Sequence, residues 1–300
     1  MVRRRIKGEV LMRALLIYII LAMATLLPTI AEAYDVLVLQ SRRDTGYEEA
    51  LKGFLTDNRA SHRLVVLSDY AEVDVVRIVR EDRPRLILAL GDAALKETRK
   101  IQFTPVVALM ALGVHDKKAL RTNLTGIGMF VPPERYINIF KTLKKRRIGL
   151  IYNPTKCNWY LWLAQNAAQA AGITLVTREV SKPIETPEKL SSLAGKVDAL
   201  WMLPDATSVT RETTEAYFRF GQDHAVPVVS FATTYLGLGA AAVLEIDRIG
   251  LGRQANAIVS AILDGDLMGS IPIAFPKNII LRSNPVVLKR LGQSVEGDSF

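Results

Sequence analysis

Short apolar runs separated by amphipathic segments dominate the chain from Tyr34 onward. Most of these runs are continuous rows of Val, Ile and Leu and do not alternate with polar residues. The runs of strand length cover residues 35–39, 63–67, 86–90, 106–110, 124–128, 148–152, 174–177, 199–203 and 226–230. Continuous apolar strands are typical of parallel sheets that are covered by helices on both faces. The pattern therefore predicts parallel sheets with buried strands.

Between these runs lie segments of helix length, whose apolar residues recur three and four positions apart. In the segment 46–58, for example, Ala50, Leu51, Phe54 and Leu55 fall on one face. Further segments of this kind cover residues 158–171, 207–222, 250–263 and 285–291. Strands that alternate with helices predict the α/β class, with open sheets and right-handed crossovers.

The alternation restarts near residue 148, after a basic, proline-bracketed stretch at 132–147. A chain of this length tends to divide into two such units. In the tail, a strand and a helix are followed by another strand at 279–281, which indicates a chain that crosses back to the first unit and returns. We predict that lobe 1 comprises residues 34–143 and 241–265, and that lobe 2 comprises residues 144–240 and 266–300.

Residues 1–33 have the layout of a secretory signal peptide. A basic leader is followed by an apolar run of 14 residues, from Ala14 to Leu27, and by the small-x-small triplet Ala31-Glu32-Ala33. This apolar run is shorter than the ~18–20 residues that a stable membrane-spanning helix needs. We predict cleavage before Tyr34 and a periplasmic mature protein. An uncleaved membrane anchor is the alternative.

The formal net charge of +9 at pH 7 indicates no particular partner, because the basic residues are dispersed. Their densest run, at residues 141–147, is typical of a solvated helix end. A nucleic-acid-binding protein would also rarely carry an export signal. We therefore expect no nucleic-acid partner.

The sequence offers few residues for catalysis. Cys157 is the only cysteine, and the three histidines are scattered, so local spacing assembles neither a disulfide nor a His/Cys metal cluster. The nucleophile elbow, the phosphate-binding loop and the His-Glu-x-x-His helix are all missing from the sequence. Gly237 and Gly239 resemble part of a dinucleotide fingerprint, but they precede a strand and indicate a turn. We predict a protein that is not an enzyme and that uses no cofactor or metal.

Polar and aromatic residues follow the predicted strands at their carboxyl ends, where ligands bind in open α/β sheets. In the first half these residues are Ser41, Arg42, Asp92 and Met110. In the second half they are Asn153, Thr155, Trp159, Asp205, Phe231, Thr233 and Tyr235. Asp92 and Asp205 also occupy positions that are typical of helix N-caps. Asn153-Pro154 is equally typical of a turn. Trp159 fits half-buried packing as well as a cleft.

Motifs along nearly the whole mature chain resemble the substrate-binding components of ABC transporters, in the branch with tryptophan- and tyrosine-binding members. They cover residues 123–126, 148–154, 200–205, 226–230, 239–241, 247, 252–255 and 262–265. The resemblance implies a type I periplasmic-binding fold, with two Rossmann-like lobes, three crossover strands and a ligand enclosed by hinge motion. It also implies that the residues after the strands line the cleft.

The chain departs from the family pattern in three places. Residues 111–113 replace an acidic residue and a proline, Ala206 replaces an asparagine, and Arg248 stands where an aromatic residue is common. Polar groups that would hold an amino-acid head group are thus partly missing, and a more apolar or an anionic solute stays open beside an amino acid.

We expect a small-molecule solute to bind between the lobes. Asp205 would accept from a donor of the solute, Asn153 and Thr155 would add hydrogen bonds, and Trp159 or Phe231 would cover an apolar part. Two partners remain open: an inner-membrane ABC permease that receives the solute, or a membrane sensor kinase or chemoreceptor that the protein regulates. The same fold serves both functions.

Overall fold

The computed structural model describes residues 34–116 and 119–292. The predicted signal peptide and its cleavage site before Tyr34 are therefore largely outside the described residues. Within the described part, none of the helices is long and apolar enough to span a membrane.

The first sheet has five strands, all parallel, in the order β2-β1-β3-β4-β5. Its strands are β1 (Val36–Gln40), β2 (His62–Val66), β3 (Leu86–Leu90), β4 (Val106–Leu109) and β5 (Leu124–Gly126). Every residue of β1, β3 and β4 is buried, as the continuous apolar runs predict. Two apolar clusters cover the two faces of this sheet.

The second sheet has six strands in the order β11-β10-β9-β8-β6-β7. Its strands are β6 (Arg147–Tyr152), β7 (Thr174–Glu179), β8 (Ala199–Trp201), β9 (Val228–Ser230), β10 (Ala242–Ile246) and β11 (Ile279–Ser283). All neighbours are parallel except β10 and β11, which pair antiparallel at the edge. Two further apolar clusters cover its faces.

The helices connect the strands and cover the sheets. They are α1 (Thr45–Thr56), α2 (Val75–Asp82), α3 (Asp92–Glu97), α4 (Pro133–Thr142), α5 (Pro154–Ala170), α6 (Thr186–Ser191), α7 (Thr214–Asp223), α8 (Arg248–Leu263) and α9 (Pro285–Arg290). The prediction of an α/β protein with two mostly parallel sheets is confirmed. We call the first sheet with its helices lobe 1 and the second sheet with its helices lobe 2.

The helix predicted at 207–222 begins only at Thr214. Upstream of it, the Thr213 hydroxyl donates to the carbonyl of Ser208 at 2.8 Å and accepts from the Thr210 N–H at 2.8 Å. Hydroxyl side chains that bond to nearby backbone compete with helical hydrogen bonds. This segment is therefore a compact turn.

Three segments lie in a different lobe from the one we predicted. Strand β10 belongs to lobe 2, because its buried residues pair with β9 and β11. Helix α4 also packs in lobe 2, where Tyr136 and Phe140 contact Trp201. Residues 271–274 join lobe 1: the Thr125 hydroxyl donates to the Ile271 carbonyl, and Ala274 exchanges backbone bonds with Gly126 and Gly128. The chain thus crosses between the lobes after β5, between β10 and α8, and between α8 and β11.

Helix α8 returns to lobe 1 and packs closely against α1. A Cβ on Gly252 would overlap the carbonyl oxygen of Ala50, and a Cβ on Gly53 would overlap that of Ile249. The two helix backbones therefore touch without side chains between them.

Candidate functional site

A cavity of about 210 Å³ lies between the carboxyl ends of the strands of the two lobes. Lobe 1 contributes the start of α3 and the loop after β4, and lobe 2 contributes the start of α5 and the loop after β8. The lining residues are Asp92, Leu112, Gly113, Asp116, Phe130, Lys156, Cys157, Pro204, Asp205 and Ala206. This is the position at which open α/β sheets bind ligands.

The lobe 1 wall depends on the loop that follows β4. Met110, directly after the strand, has a φ of 53°, a left-handed conformation that is uncommon for a side chain of this size. The chain then turns so that the Leu112 and Gly113 N–H groups donate to the Asp92 carboxylate at 3.2 and 2.8 Å. Asp92 is the first residue of α3, and Gly91 occupies the cap position. The carboxylate therefore fastens the loop and does not cap the helix.

A single glycine separates two carboxylates of this wall. A Cβ on Gly113 would lie 3.1 Å from an Asp92 oxygen and 3.2 Å from an Asp116 oxygen. The loop thus presents both acidic side chains at the cavity, side by side.

The lobe 2 wall is buried and internally bonded. Asp205, 2% exposed, accepts from the Asn153 N–H at 2.5 Å and from the Thr207 N–H at 2.8 Å. Asn153 caps α5, because its side-chain oxygen accepts from the Thr155 N–H at 2.9 Å. The Thr207 hydroxyl accepts from the Lys156 ammonium at 3.0 Å. Asp205 therefore ties the loop after β8 to the start of α5.

Cys157 is buried on the first turn of α5. Burial and the neighbouring carboxylates of Asp205 and Asp116 raise the pKa of its thiol. The thiolate is the nucleophilic form, so these surroundings oppose reactivity. Cys157 therefore contributes a packed, protonated side chain to the cavity wall.

An aromatic stack joins the lobes beside the cavity. The His115 ring of lobe 1 lies on the Trp159 ring of lobe 2, with centroids 3.7 Å apart and planes 24° apart. Phe130 and Tyr160 meet Trp159 edge-on. Burial lowers the pKa of His115 to about 4, so the imidazole is neutral at pH 7. The lobes are thus in contact in this structure.

The predicted site residues do not all gather at the cavity. Asp92 and Asp205 line it, and Asn153, Thr155 and Trp159 lie around the start of α5 next to it. Asn153 is the N-cap of α5 and not part of an isolated turn, and Asp92 and Asp205 also hold the structural bonds described above. Their role in holding a ligand stays a prediction.

Three predicted residues of lobe 1 lie outside the lining. The Ser41 hydroxyl bridges elements, donating to the Leu90 carbonyl and accepting from the Ala94 N–H. Arg42 is exposed and pairs with Asp44 at 3.1 Å. Met110 shapes the loop and packs against the apolar cluster of its lobe.

The loop after β9 is likewise outside the lining. Phe231 and Tyr235 meet at 5.2 Å between ring centroids and pack on the lobe 2 core. The Thr233 hydroxyl donates to Glu245, which also lies 3.3 Å from Arg282. These contacts stabilise lobe 2 near its crossovers.

Most of the cavity wall was absent from our predictions. The residues beyond them are Leu112, Gly113, Asp116, Phe130, Lys156, Cys157, Pro204 and Ala206. A usable signal existed for two of them, because Lys156 and Cys157 follow Asn153 on the first turn of a helix that starts at a strand end. The loop to Asp116 gives no such signal, since it contains no periodic pattern.

Within the described residues, the lining of the cavity is not arranged for metal coordination. Among residues 34–116 and 119–292, no group of three or more His, Cys, Asp or Glu side chains is positioned to hold a metal ion. The lining combines three carboxylates, one ammonium and apolar groups, with Phe130 as its aromatic member. Such a mixture is typical of sites that bind small organic molecules.

Comparison with known proteins gives a consistent picture. Residues 40–297 match the family model described as ABC transporter substrate binding protein. The tyrosine-binding protein of Clostridioides difficile (strain R20291) is 25% identical over 183 residues, which are 59% of this chain and 52% of the relative. The match therefore spans about half the length of that relative.

Two solved structures share the fold. An ABC domain from Streptococcus pneumonia in complex with L-Trp has a TM-score of 0.62 at 19% identity, over 87% of this chain and 95% of its own. A ligand-free, open substrate-binding protein with adhesive properties from Clostridium difficile has a TM-score of 0.65 at 18% identity, over 88% and 96%. With a family model that covers most of its length, the chain belongs to the ABC transporter substrate-binding protein family.

Proposed function

We propose that this protein is an exported receptor that closes its two lobes around a small organic solute and delivers the solute to an ABC-type permease. The observation that carries the proposal is the cavity, because its walls come from strand-end loops of both lobes. A solute between such walls contacts both lobes at once only in the closed form. Its binding would therefore shift the hinge equilibrium towards closure.

The contact between His115 and Trp159 supports a closing motion. The two residues belong to opposite lobes, and three crossover segments join these lobes. The ring contact would therefore break when the lobes open. One neighbour of the same fold is a ligand-free, open form, and another holds L-Trp. A ligand-free open form and a ligand-bound form thus both occur among neighbours of this fold.

The relatives supply the first solutes to test. One is named a tyrosine-binding protein and one was solved with L-Trp, so amino acids head the panel. Asp205 and Asp92 would accept hydrogen bonds from the solute, and Phe130 and Trp159 would contact an apolar part. Export to the periplasm rests on the signal-peptide layout of residues 1–33.

Calorimetric titration of the mature chain from Tyr34, together with small-angle scattering, tests the receptor function. We expect at least one solute to bind saturably and to lower the radius of gyration of the protein. The Asp205→Asn variant should bind that solute at least tenfold more weakly. Asp264→Asn removes an exposed charge outside the lining and serves as the matched control. A solute that binds without compaction would contradict hinge closure.

Delivery is tested in cells that lack the chromosomal copy. Uptake of the labelled solute should fall on deletion and recover with the wild-type chain but not with Asp205→Asn. Unchanged uptake, with binding intact, would contradict delivery and favour the sensing role.

A further inference from the structure

Among the described residues that line the cavity, Lys156 is the only basic one. Its side chain starts from the first turn of α5, and its ammonium donates to the hydroxyl of Thr207 at 3.0 Å. Thr207 is buried, and its hydroxyl also accepts from the side-chain amide of Asn153 at 3.2 Å. The ammonium is therefore held at a defined place in the lobe 2 wall.

Donor capacity remains on this ammonium. A lysine ammonium carries three N–H donors, and Thr207 takes one of them. Within residues 34–116 and 119–292, no hydrogen bond uses the other two donors, and no ion pair includes Lys156. A solute that fills the cavity takes the place of water on these donors. Unless the solute brings an acceptor, the hydrogen bonds are lost, and such a loss is costly for a charged group.

The buried carboxylate of the same wall does not neutralise this ammonium by direct contact. Asp205 accepts from the Asn153 and Thr207 N–H groups inside the wall. The Asp205 carboxylate is thus stabilised by backbone donors, whereas the Lys156 ammonium lines the cavity. A solute can bind this ammonium without breaking any of these bonds.

The start of α5 reinforces the positive charge of this wall. The N-terminus of a helix carries a partial positive charge, and Lys156 stands in the first turn of a helix of 17 residues. The backbone N–H groups of Lys156 and Cys157 both lie within reach of the Asn153 carbonyl. An anionic group would therefore be held by the side-chain ammonium and not by the helix backbone.

We infer that Lys156 determines the specificity of the cavity by binding a carboxylate of the solute. The carboxylate would accept from the two remaining N–H donors, and the apolar part of the solute would contact Leu112 and Phe130. Charge-assisted hydrogen bonds are about twice as strong as neutral ones. An organic acid should therefore bind more tightly than its uncharged amide. This role of Lys156 rests on the proposed function, because it concerns the solute of the same cavity.

The two lobes thereby take different parts in recognition. Lys156 of lobe 2 binds the carboxylate of the solute. Asp92 of lobe 1 accepts two backbone N–H bonds, and an ionised carboxylate with about four lone-pair positions can accept more. A solute with both a carboxylate and a donor group contacts the two walls at once and so stabilises the closed form. Amino acids and hydroxy acids both meet this description.

Pairs of an acid and its amide test the role of Lys156, because the two members differ in charge and hardly in shape. Calorimetry on the mature chain compares tryptophan with tryptophanamide, tyrosine with tyrosinamide, and 4-hydroxyphenyllactate with 4-hydroxyphenyllactamide. We expect at least one acid to bind at least tenfold more tightly than its amide. If no acid binds more tightly than its amide while an amide binds, the inference is overturned and the receptor function stays intact.

Variants of the lysine separate recognition from packing. Lys156→Met keeps most of the side-chain length but removes the ammonium, so we expect the acid to bind at least tenfold more weakly and the amide to change less than twofold. Lys156→Arg keeps the charge and should keep most of the advantage of the acid. Lys141→Met removes an exposed ammonium of the same lobe outside the lining and is the matched control.

The ratio of acid to amide affinity is the readout that a merely structural lysine would not change. Circular dichroism and the melting temperature identify any variant that is not folded. An unchanged ratio in folded Lys156→Met would show that the bond to Thr207 only supports the wall, and it would overturn the inference.

A wider screen separates the two proposals. If a sugar or an amine binds and compacts the protein while every acid fails, the receptor function holds and the role of Lys156 is wrong. If neither the matched pairs nor the wider screen gives a ligand for well-folded protein, both are wrong.

Discussion

The two lobes share one architecture but hold their helices together in opposite ways. In lobe 1, α1 and α8 meet backbone to backbone at Gly53 and Gly252. In lobe 2, α4 and α5 pack through large rings, and Tyr136 and Tyr160 both contact the buried Trp201. Close-packed side chains can adjust their rotamers to a change in volume, but touching backbones cannot. Lobe 1 should therefore be the less tolerant of added atoms.

The walls of the cavity differ in a related way. The lobe 2 wall is buried and bonded through Asp205, so it is formed before any solute arrives. The lobe 1 wall is a loop that begins at the left-handed Met110 and is fastened by the exposed Asp92. Lobe 2 thus supplies the fixed half of the site, and lobe 1 supplies the half whose shape depends on a few loop bonds.

Gly252→Ala tests the backbone contact between α1 and α8, and we expect it to have the largest effect on stability. The new methyl group overlaps the Ala50 carbonyl, so α1 and α8 must move apart. We expect a loss of ~3 kcal/mol or more in the free energy of unfolding, at the upper end for overpacking. Urea unfolding measures it. Gly269→Ala, where a Cβ meets no atom within 4 Å, is the matched control and should be nearly neutral. Equal stability of the two variants would refute the backbone contact.

Asp205→Ala tests whether the lobe 2 wall is preformed. The substitution leaves the Asn153 and Thr207 N–H groups buried without their acceptor. Each unsatisfied buried group costs ~1–3 kcal/mol, so we expect the two together to lower the free energy of unfolding by ~2–6 kcal/mol. The corresponding change at the exposed Asp92 should cost less than half as much. Thermal unfolding of both variants measures these losses of stability. Equal losses would mean that the two walls are equally fixed.

The sequence pattern predicts the α/β class and most strands, because buried parallel strands need continuous apolar runs such as 36–39 and 86–90. It does not tell which lobe receives an amphipathic helix, since α4 would suit either sheet. The crossovers at 127–132 and 271–275 escape prediction because they are short and aperiodic. For the same reason Asp116 was missed, whereas Asp92 and Asp205 follow directly from the strand ends.

The interlobe stack makes stability depend on pH. Burial lowers the pKa of His115 to about 4, below its ordinary value of about 6.5. Between these values the unfolded chain binds more protons than the folded one, so this stabilisation is complete above pH 6.5 and is lost towards pH 4. As the pH is lowered from 6.5 to 4, we expect the melting temperature of the wild type to fall. It should fall less in His115→Phe, which keeps a ring on Trp159. Parallel pH profiles would contradict the buried, neutral imidazole.

The smallest effect on stability is expected from substitutions at the helix ends of the two lobes. Arg83 directly follows α2 in lobe 1, and Lys144 lies two residues after the end of α4 in lobe 2; both are exposed, with left-handed φ values of 51° and 53°. Glycine is the preferred residue at such ends, because it has no Cβ to strain. We expect Arg83→Gly and Lys144→Gly each to add ~0.5–1 kcal/mol, and the double variant to add their sum. Because additive gains in one unfolding transition require that both lobes unfold together, two separate transitions in urea would show that the lobes are independent folding units.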